Sequence, residues 1–136
     1  MGKVFHPGIA CNHSDDMPYS WTDPPYHPPT QEYKNAPVCS DLHDNSSSLH
    51  SNIFCPVDVQ SQPGGSLPDL QTLDTALKFL QEVNSSEPYF LAVGLHKPHV
   101  PQKFPKEYLQ YHPYDSIKLP SNHYRYRWAR LIRPGF

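Results

Sequence analysis

The stretch SLPDLQTLDTALKFLQEVNSSEPYFLAVGLHKPH, residues 66–99, decides the fold class of this chain. Its first half predicts an amphipathic helix that ends near Val83, because leucines recur at spacings of three and four residues. These leucines are Leu70, Leu73, Leu77 and Leu80. Ser66 and Asp69 have the spacing of a capping box, and Pro68 suits the first helical turn.

An apolar run of strand length, Tyr89 to Leu95, follows this helix. Such a run is typical of a strand that is buried on both faces of a parallel sheet flanked by helices. A helix followed by a buried strand is half of a βαβ unit, so the predicted fold class is α/β. Ligands of open α/β sheets bind beyond the carboxyl ends of the strands, which makes residues 96–99, HKPH, a candidate site.

Composition and charge separately limit the size of the fold and the kinds of partner that the chain can have. With 136 residues, of which 37% are hydrophobic, the chain forms one domain at most and has a thin core. Its 17 prolines cluster in the first 40 residues and again from Pro98 to Pro120, so both stretches are predicted to be extended or looped. The net charge of -2 gives no reason to expect nucleic acid or an acidic membrane surface as a partner. No apolar run approaches the ~18 residues that span a bilayer.

A second segment, GKVFHPG at residues 2–8, places Lys3 and His6 at the two ends of a short apolar run. Together with HKPH it resembles the sulfatase family, and further segments match that family in the same order. These segments are NHSDD at 12–16, PYSW at 18–21, PPYHP at 24–28, CPVDV at 55–59 and FPKE at 104–107. The resemblance runs from about Gly2 to about Asp115 and corresponds to an interior slice of a sulfatase.

The resemblance implies a fold, an activity and a compartment. The fold is a fragment of the alkaline-phosphatase-like mixed sheet with flanking helices, in which the N-terminal part is rich in loops. Residues 1–120 would form part of the N-terminal catalytic domain, and residues 121–136 would be a divergent basic and aromatic tail. The activity is hydrolysis of sulfate esters in glycosaminoglycans, and the compartment is the lysosome.

The resemblance also assigns roles to particular side chains. Lys3 is implied to bind sulfate, His99 to contact sulfate and take part in catalysis, and His6 to act catalytically beside the family's formylglycine. His96 is expected to support the site. Negative charge develops on the oxygens of a sulfate ester in the transition state, so a fixed ammonium and imidazoles suit this reaction. A histidine that titrates near ~6.5 is also able to protonate the leaving alkoxide in an acidic compartment.

Two parts of the sulfatase machinery are missing from these 136 residues. Sulfatases oxidise the cysteine of a Cys-x-Pro-Ser-Arg motif to formylglycine, and neither Cys11, Cys39 nor Cys55 lies in such a motif. The family's calcium ligands are also missing, because residues 15–16, Asp-Asp, follow the lysine motif where the family's metal-binding pair precedes it. We therefore expect no turnover from this chain alone.

Three interpretations stay open at this point. The chain is a fragment of a sulfatase, a non-catalytic truncated chain that binds sulfated glycans or a partner, or an inert truncation product. No extended apolar segment follows Met1, so we expect no secretory signal in the chain as written, which favours a fragment or a truncated form. The arginine-rich and aromatic tail is better explained by a shifted frame or a retained intron than by a nucleic-acid patch.

Further features suit a lysosomal glycoprotein. The resemblance implies a disulfide between Cys39 and Cys55, which would stabilise the fold by roughly 3 kcal/mol in the chain-entropy model. Cys11 is then left over. Glycosylation sequons begin at Asn12, Asn45 and Asn84. The histidines outside the two motifs are predicted to be solvated loop residues, and these are His13, His27, His43, His50, His112 and His123.

Overall fold

A computed structural model of the chain describes residues 1–6, 8–40, 48–51, 53–84 and 86–118. The strands and the α-helix are β1 (Cys39–Ser40), β2 (Leu49–His50), β3 (Phe54–Val57), α1 (Pro68–Glu82) and β4 (Gln102–Pro105). Short 3-10 helices span Ile9–Cys11, Pro29–Tyr33, Pro63–Gly65, Lys106–Tyr111 and Tyr114–Ser116. The chain divides into two units, residues 1–106 and 107–136, and these strands and α1 belong to the first.

The strands form two small sheets. β1 and β2 are antiparallel, whereas β3 and β4 are parallel, with Phe54 opposite Gln102 and Val57 opposite Pro105. Parallel strands need a long crossover connection, and α1 lies within the connection between β3 and β4. This combination of helix and parallel strands agrees with the α/β class at a coarse level.

A disulfide between Cys39 and Cys55 lies at the centre of the hydrophobic core. It joins β1 to β3 and is the pair that the sulfatase resemblance implies. Val57 and Leu67 are buried with the two sulfurs. The partly buried side chains that pack against this cluster are Val38, Val59 and Leu70. The core is therefore small and depends on a covalent link between its strands.

Lys103 on β4 is buried next to this core. Its ammonium donates hydrogen bonds of 3.0 Å to the carbonyl oxygens of Tyr33 and Ala36. Burial lowers the pKa of Lys103, and the positive charge of Lys97 lowers it further. This side chain ties β4 to the proline-rich segment that precedes β1.

The predicted helix is confirmed, because α1 covers Pro68–Glu82. The predicted capping box is wrong. Leu67 is the N-cap residue, and no side chain caps the helix there. The Asp69 carboxylate instead accepts hydrogen bonds from the backbone of residues 96–97, so a tertiary contact uses the group that the capping box would need.

The leucine face of α1 is only half covered. Leu73, Leu77 and Leu80 each retain 48% exposure, whereas Thr72 and Ala76 on another face are buried. The small side chains are buried because the N-terminal segment approaches α1 closely at Thr72. A Cβ added to Gly2 would lie 2.7 Å from the Thr72 methyl carbon.

The prediction of a buried strand at residues 89–95 is wrong for the described part of the chain. Only Gly94 forms a β-bridge there, with Gly2. Phe90 is 93% exposed, and Leu95 is also largely exposed. One edge of the segment has a hydrogen-bonded neighbour, and the Tyr89 ring contacts Phe79 of α1, but Phe90, Val93 and Leu95 remain exposed.

In the second unit, the described residues form the end of the 3-10 helix Lys106–Tyr111 and the helix Tyr114–Ser116. The rings of Tyr108 and Tyr111 contact each other at a centroid distance of 6.1 Å. No α-helix among the described residues is long and apolar enough to cross a membrane. Four earlier predictions lie outside the described residues: those for His43, Asn45, His123 and the tail 121–136.

Candidate anion-binding site

The N-terminal segment and the segment that carries HKPH run side by side. The N-terminal ammonium of Met1 donates a 2.7 Å hydrogen bond to the Ala92 carbonyl oxygen. The Gly94 amide donates to the Met1 carbonyl at 3.0 Å, and the Lys3 amide donates to the Gly94 carbonyl at 2.8 Å. Because the two segments are parallel at the Gly2–Gly94 bridge, the residues that follow both segments emerge at the same end.

Two glycines allow the segments to approach this closely. Gly2 has a φ of +68°, and a Cβ at this residue would lie 2.2 Å from the Gly94 carbonyl oxygen. A Cβ on Gly94 would lie 2.1 Å from the Lys3 carbonyl oxygen. Any larger residue at either position would push the two segments apart.

An open cleft lies at the end where both segments emerge, within residues 1–106. Lys3 and His6 from the first segment and His96 and His99 from the second line this cleft. The rings of His96 and His99 have centroids 5.4 Å apart and planes inclined by 55°. The side chains that line the rest of the cleft are His27, Gln31, Lys34 and Val100. The structure thus brings Lys3, His6 and His99, the three residues predicted to bind sulfate or act in catalysis, to one cleft.

Two charged side chains hold the HKPH segment in place. The Asp69 carboxylate of α1 accepts hydrogen bonds from the His96 amide at 2.5 Å and the Lys97 amide at 3.0 Å. The Lys97 ammonium donates to the Pro101 carbonyl oxygen at 2.7 Å and to the His99 carbonyl oxygen at 3.3 Å. Lys97 therefore uses its ammonium to close the turn around His99.

The ring nitrogens of His99 have different environments. Nδ1 lies 2.6 Å from the Val100 carbonyl oxygen. A carbonyl only accepts hydrogen bonds, so Nδ1 carries the proton in this contact and Nε2 remains for a ligand. The His6 ring packs against Gly8, where an added Cβ would lie 2.9 Å from His6 Nδ1.

Positive charge is concentrated at the cleft. Burial lowers the pKa of His96 from its ordinary value of 6.5, and the charges of Lys3 and Lys97 lower it further. Burial also lowers the pKa of Lys97, an effect that Asp69 opposes and Lys3 adds to. Crowded cations disfavour one another, so an anion in the cleft would relieve this repulsion. Ammonium and imidazole donors are also the groups that bind sulfate through charge-assisted hydrogen bonds.

The prediction that His27 is an exposed loop residue is confirmed, but its ring also has a specific partner. His27 Nε2 lies 2.7 Å from Asp15 Oδ2, and the Asp15 side chain is buried. The Asp15 carbonyl oxygen also accepts a 2.8 Å hydrogen bond from the Trp21 indole. Twelve residues separate His27 from Asp15, and no short-range sequence pattern connects two loop residues at that spacing.

The calcium that sulfatases use does not fit the described residues. No group of three or more histidine, cysteine, aspartate or glutamate side chains in the described ranges is arranged to hold a metal ion. In the Asp15–Asp16 pair, Asp15 contacts His27, and Asp16 accepts a hydrogen bond from the Ser20 hydroxyl. We therefore derive no chemical step through a metal at this cleft.

Comparison with known proteins supports the resemblance. Iduronate 2-sulfatase from Mus musculus is 49% identical to this chain over 120 residues, which are 88% of the chain and 21% of the mouse protein. Iduronate 2-sulfatase from Homo sapiens is 48% identical over the same shares. A sulfatase from Formosa agariphila is 35% identical over 54 residues, 40% of the chain and 10% of that protein. No protein-family model matches the chain.

The predicted resemblance to the sulfatase family is therefore confirmed. More narrowly, the chain is an iduronate 2-sulfatase-like segment, since its matches to the mouse and human enzymes cover most of its residues. It spans about a fifth of the length of these relatives.

Proposed function

We propose that Lys3, His6 and His99 bind the sulfate group of a sulfated glycosaminoglycan. The observation that carries this proposal is that all three side chains line one cleft, although more than 90 residues separate His6 from His99. Lys3 supplies an ammonium, and its backbone amide is hydrogen-bonded to the Gly94 carbonyl oxygen. His99 presents Nε2 because its Nδ1 contacts the Val100 carbonyl oxygen. The charges of Lys3 and Lys97, which add to burial in lowering the pKa of His96, also favour an anionic group in this cleft.

The same residues suit two parts of sulfate ester hydrolysis, namely stabilisation of the sulfate charge and proton transfer. Cationic donors aimed at the sulfate oxygens stabilise the charge that develops in the transition state. His6 and His99 are the candidate proton-transfer groups. His6 would act beside the formylglycine nucleophile, and His99 would act at the leaving oxygen. Sulfatases supply the nucleophile as formylglycine, and these 136 residues contain no Cys-x-Pro-Ser-Arg motif. The proposed activity of the 136-residue chain by itself is therefore sulfate binding without turnover.

Hydrolysis is proposed for a protein that combines these residues with a formylglycine and a calcium ion. Its substrate would be the 2-sulfate of iduronate units, as the names of the mouse and human relatives indicate. We propose heparan and dermatan sulfate as the polymers that carry these units. Such a protein would be lysosomal and would use the alkaline-phosphatase-like mixed sheet. Residues 1–120 would belong to its catalytic domain, and residues 121–136 would be a divergent tail.

Glycosylation at Asn12, Asn45 and Asn84 belongs to the same proposal. Asn12 and Asn84 are both exposed, as an acceptor asparagine must be. The Asn84 side-chain oxygen accepts hydrogen bonds from the Ser86 amide and hydroxyl, at 3.1 and 2.8 Å. Treatment of protein from a secretory expression host with an endoglycosidase, followed by mass spectrometry, would show which of the three asparagines carries glycan.

A titration of the 136-residue chain with inorganic sulfate tests the binding proposal. Lys3→Ala should weaken the affinity roughly tenfold, because a charge-assisted hydrogen bond is lost. Lys78→Ala is the matched control, since Lys78 lies exposed on α1 and its ion pair with Glu82 is long, at 3.9 Å. Equal sulfate affinity in the Lys3→Ala and Lys78→Ala proteins would refute the proposed role of Lys3.

A further inference from the structure

We infer that the cleft contains a second anion subsite, formed by His27 and Lys34 and positioned by the buried carboxylate of Asp15. This inference rests on the proposed function, because it concerns the part of the substrate next to the bound sulfate. Its ligand would be a second acidic group on the same glycosaminoglycan. That group is either the carboxylate of the sulfated uronate or a sulfate on the neighbouring sugar.

The cleft has two walls that come from different parts of the chain. The first wall carries Lys3, His6, His96 and His99 and includes every residue proposed to contact the sulfate. The second wall carries His27, Gln31 and Lys34, which lie before, within and after the 3-10 helix Pro29–Tyr33. Both walls have cationic or imidazole side chains, so a ligand with two anionic groups would match the cleft better than a single sulfate.

Asp15 gives the second wall a fixed orientation. Its side chain is buried, and Oδ2 accepts the hydrogen bond from His27 Nε2 at 2.7 Å. With Nε2 used in this way, the nitrogen that His27 has left for a ligand is Nδ1. In the imidazolium form both ring nitrogens donate, so Nδ1 would donate to an anion while Nε2 stays bound to Asp15.

The environment of Asp15 supports a functional role. Its second oxygen, Oδ1, is buried and has no hydrogen-bond partner among the described residues. Burying a carboxylate oxygen without a donor is destabilising, and native proteins keep few such groups without a reason. Holding a cleft histidine in one orientation is such a reason, since a pre-organised donor binds its ligand with less loss of side-chain entropy.

Within the described residues, the contact of His27 with Asp15 is the one hydrogen bond or ion pair formed by the His27 and Lys34 side chains. The Thr30 backbone amide and hydroxyl bond to Gln71 on α1, which anchors the start of the 3-10 helix without involving His27 or Lys34. Lys34 is exposed, and none of its side-chain contacts within the described residues is an ion pair. The wall is therefore fixed by its backbone while its charged groups remain accessible.

The test compares four ligands on the 136-residue chain by calorimetric titration. They are inorganic sulfate, a heparin-derived disaccharide with a 2-O-sulfated uronate, the same disaccharide with its carboxyl group reduced to an alcohol, and the same disaccharide without sulfate on the glucosamine. His27→Gln should weaken binding of the complete disaccharide roughly tenfold and leave binding of inorganic sulfate unchanged. His112→Gln, an exposed histidine in the second unit, is the matched control.

The two altered disaccharides identify the source of the second anion. If His27 contacts the uronate carboxylate, His27→Gln should have no effect on the carboxyl-reduced ligand. If it contacts the neighbouring sulfate, the effect should vanish with the ligand that lacks this sulfate. Equal binding of the complete disaccharide by wild type and His27→Gln would overturn the inference, and so would an equal loss for the disaccharide and for inorganic sulfate.

Asp15→Asn separates positioning from a general loss of structure. Asn keeps the size of the buried side chain, and the variant should show the same selective loss as His27→Gln. The two effects should not add in the double variant, because they act through one interaction. Additive effects would overturn the role given to Asp15. If either variant fails to fold, the ring signals of His27 in wild-type NMR spectra should shift with the complete disaccharide and not with inorganic sulfate.

If the proposed sulfate binding itself is wrong, the titrations would give a different result. In that case Lys3→Ala would leave the affinity for inorganic sulfate unchanged, whatever the result for His27→Gln. A result in which Lys3→Ala weakens sulfate binding and His27→Gln weakens nothing would leave the first proposal standing and overturn the second.

Discussion

The core around Cys39 and Cys55 and the cleft around Lys3 and His99 lie in the same unit but depend on different interactions. The core combines a disulfide with buried apolar side chains such as Val57 and Leu67. The cleft depends on backbone hydrogen bonds between two segments, on glycines that let them meet, and on Asp69. It also concentrates positive charge, which opposes folding until an anion binds. The core can therefore be expected to survive changes that destroy the cleft.

Among the changes that should affect the cleft and the core differently, Gly2→Ala is expected to have the largest effect. A Cβ there would lie 2.2 Å from the Gly94 carbonyl oxygen, so the N-terminal segment must leave its place beside residues 92–94. Gly65→Ala is a closely matched control, because Gly65 has a φ of +65° against +68° for Gly2 and no atom within 4 Å of an added Cβ. Both variants carry the strain of a positive φ, about 1 kcal/mol or somewhat more.

We expect Gly2→Ala to abolish measurable sulfate binding and Gly65→Ala to preserve it. The additional loss of unfolding free energy in Gly2→Ala should be about 3 kcal/mol or more, since the clash is with backbone. Sulfate titration and urea unfolding of both proteins measure these differences. Normal sulfate affinity in the Gly2→Ala chain would show that the cleft does not depend on the two segments meeting.

The next largest effect should come from the disulfide and should fall on the other region. Replacing Cys39 and Cys55 by alanine removes a link across 16 residues and should lower the unfolding free energy by about 3 kcal/mol. Cys11→Ala is the control, because Cys11 is the free cysteine and is only partly buried. Urea unfolding measures the loss, and a reducing agent should cause the same loss in the wild type. An unchanged urea midpoint under reducing conditions would contradict the importance given to the disulfide.

Asp69 joins the two regions, and its loss should have an intermediate effect. Asp69→Ala leaves the amides of His96 and Lys97 without their acceptor, which should cost about 2 kcal/mol and weaken sulfate binding several-fold. Asp74→Ala, an exposed position on the same helix, should change neither quantity. Hydrogen exchange by NMR provides the direct measurement. If the two amides exchange no faster in Asp69→Ala than in Asp74→Ala, the carboxylate does not hold the HKPH segment.

Local patterns in the sequence predicted local structure well. The leucine spacing and Pro68 predicted α1 to within a residue of its observed end at Glu82, because helical periodicity is a short-range property. The same pattern did not reveal that Thr72 and Ala76 would be buried. Which face is covered depends on Gly2, which is 70 residues from Thr72 in the sequence and packs against it.

Predictions that depend on distant partners were less successful. The apolar side chains of residues 89–95 would suit a buried strand. Burial also requires neighbouring segments that cover those side chains, and the run itself does not specify them. Asp69 was assigned to a helix cap because its spacing from Ser66 fits one, whereas a backbone turn far along the chain uses its carboxylate. The residues that line the cleft were predicted where family motifs exist, at Lys3, His6 and His99. The place of His27 in the cleft was not predicted, because its partner Asp15 is visible only in the fold.

The smallest effect concerns the charge balance of the cleft at different pH values. The pKa of His96 lies below 6.5 in the folded chain, because burial and the charges of Lys3 and Lys97 disfavour its imidazolium form. Between this lowered value and 6.5 the unfolded chain binds more protons than the folded chain. The unfolding free energy therefore rises as the pH increases through that window, and this gain is lost as the pH falls.

Bound sulfate reverses this preference, and the reversal distinguishes the cleft from the core. The anion offsets the charges of Lys3 and Lys97, so the pKa of His96 rises on binding, a proton is taken up, and sulfate affinity increases as the solution becomes more acidic. His96→Gln removes this proton and should reduce the gain in affinity between about pH 7.5 and 5.5 by roughly threefold. His112→Gln should keep the full gain. Calorimetry in two buffers of different ionisation enthalpy would count the protons, and an unchanged count in His96→Gln would mean that another group of the cleft takes up the proton.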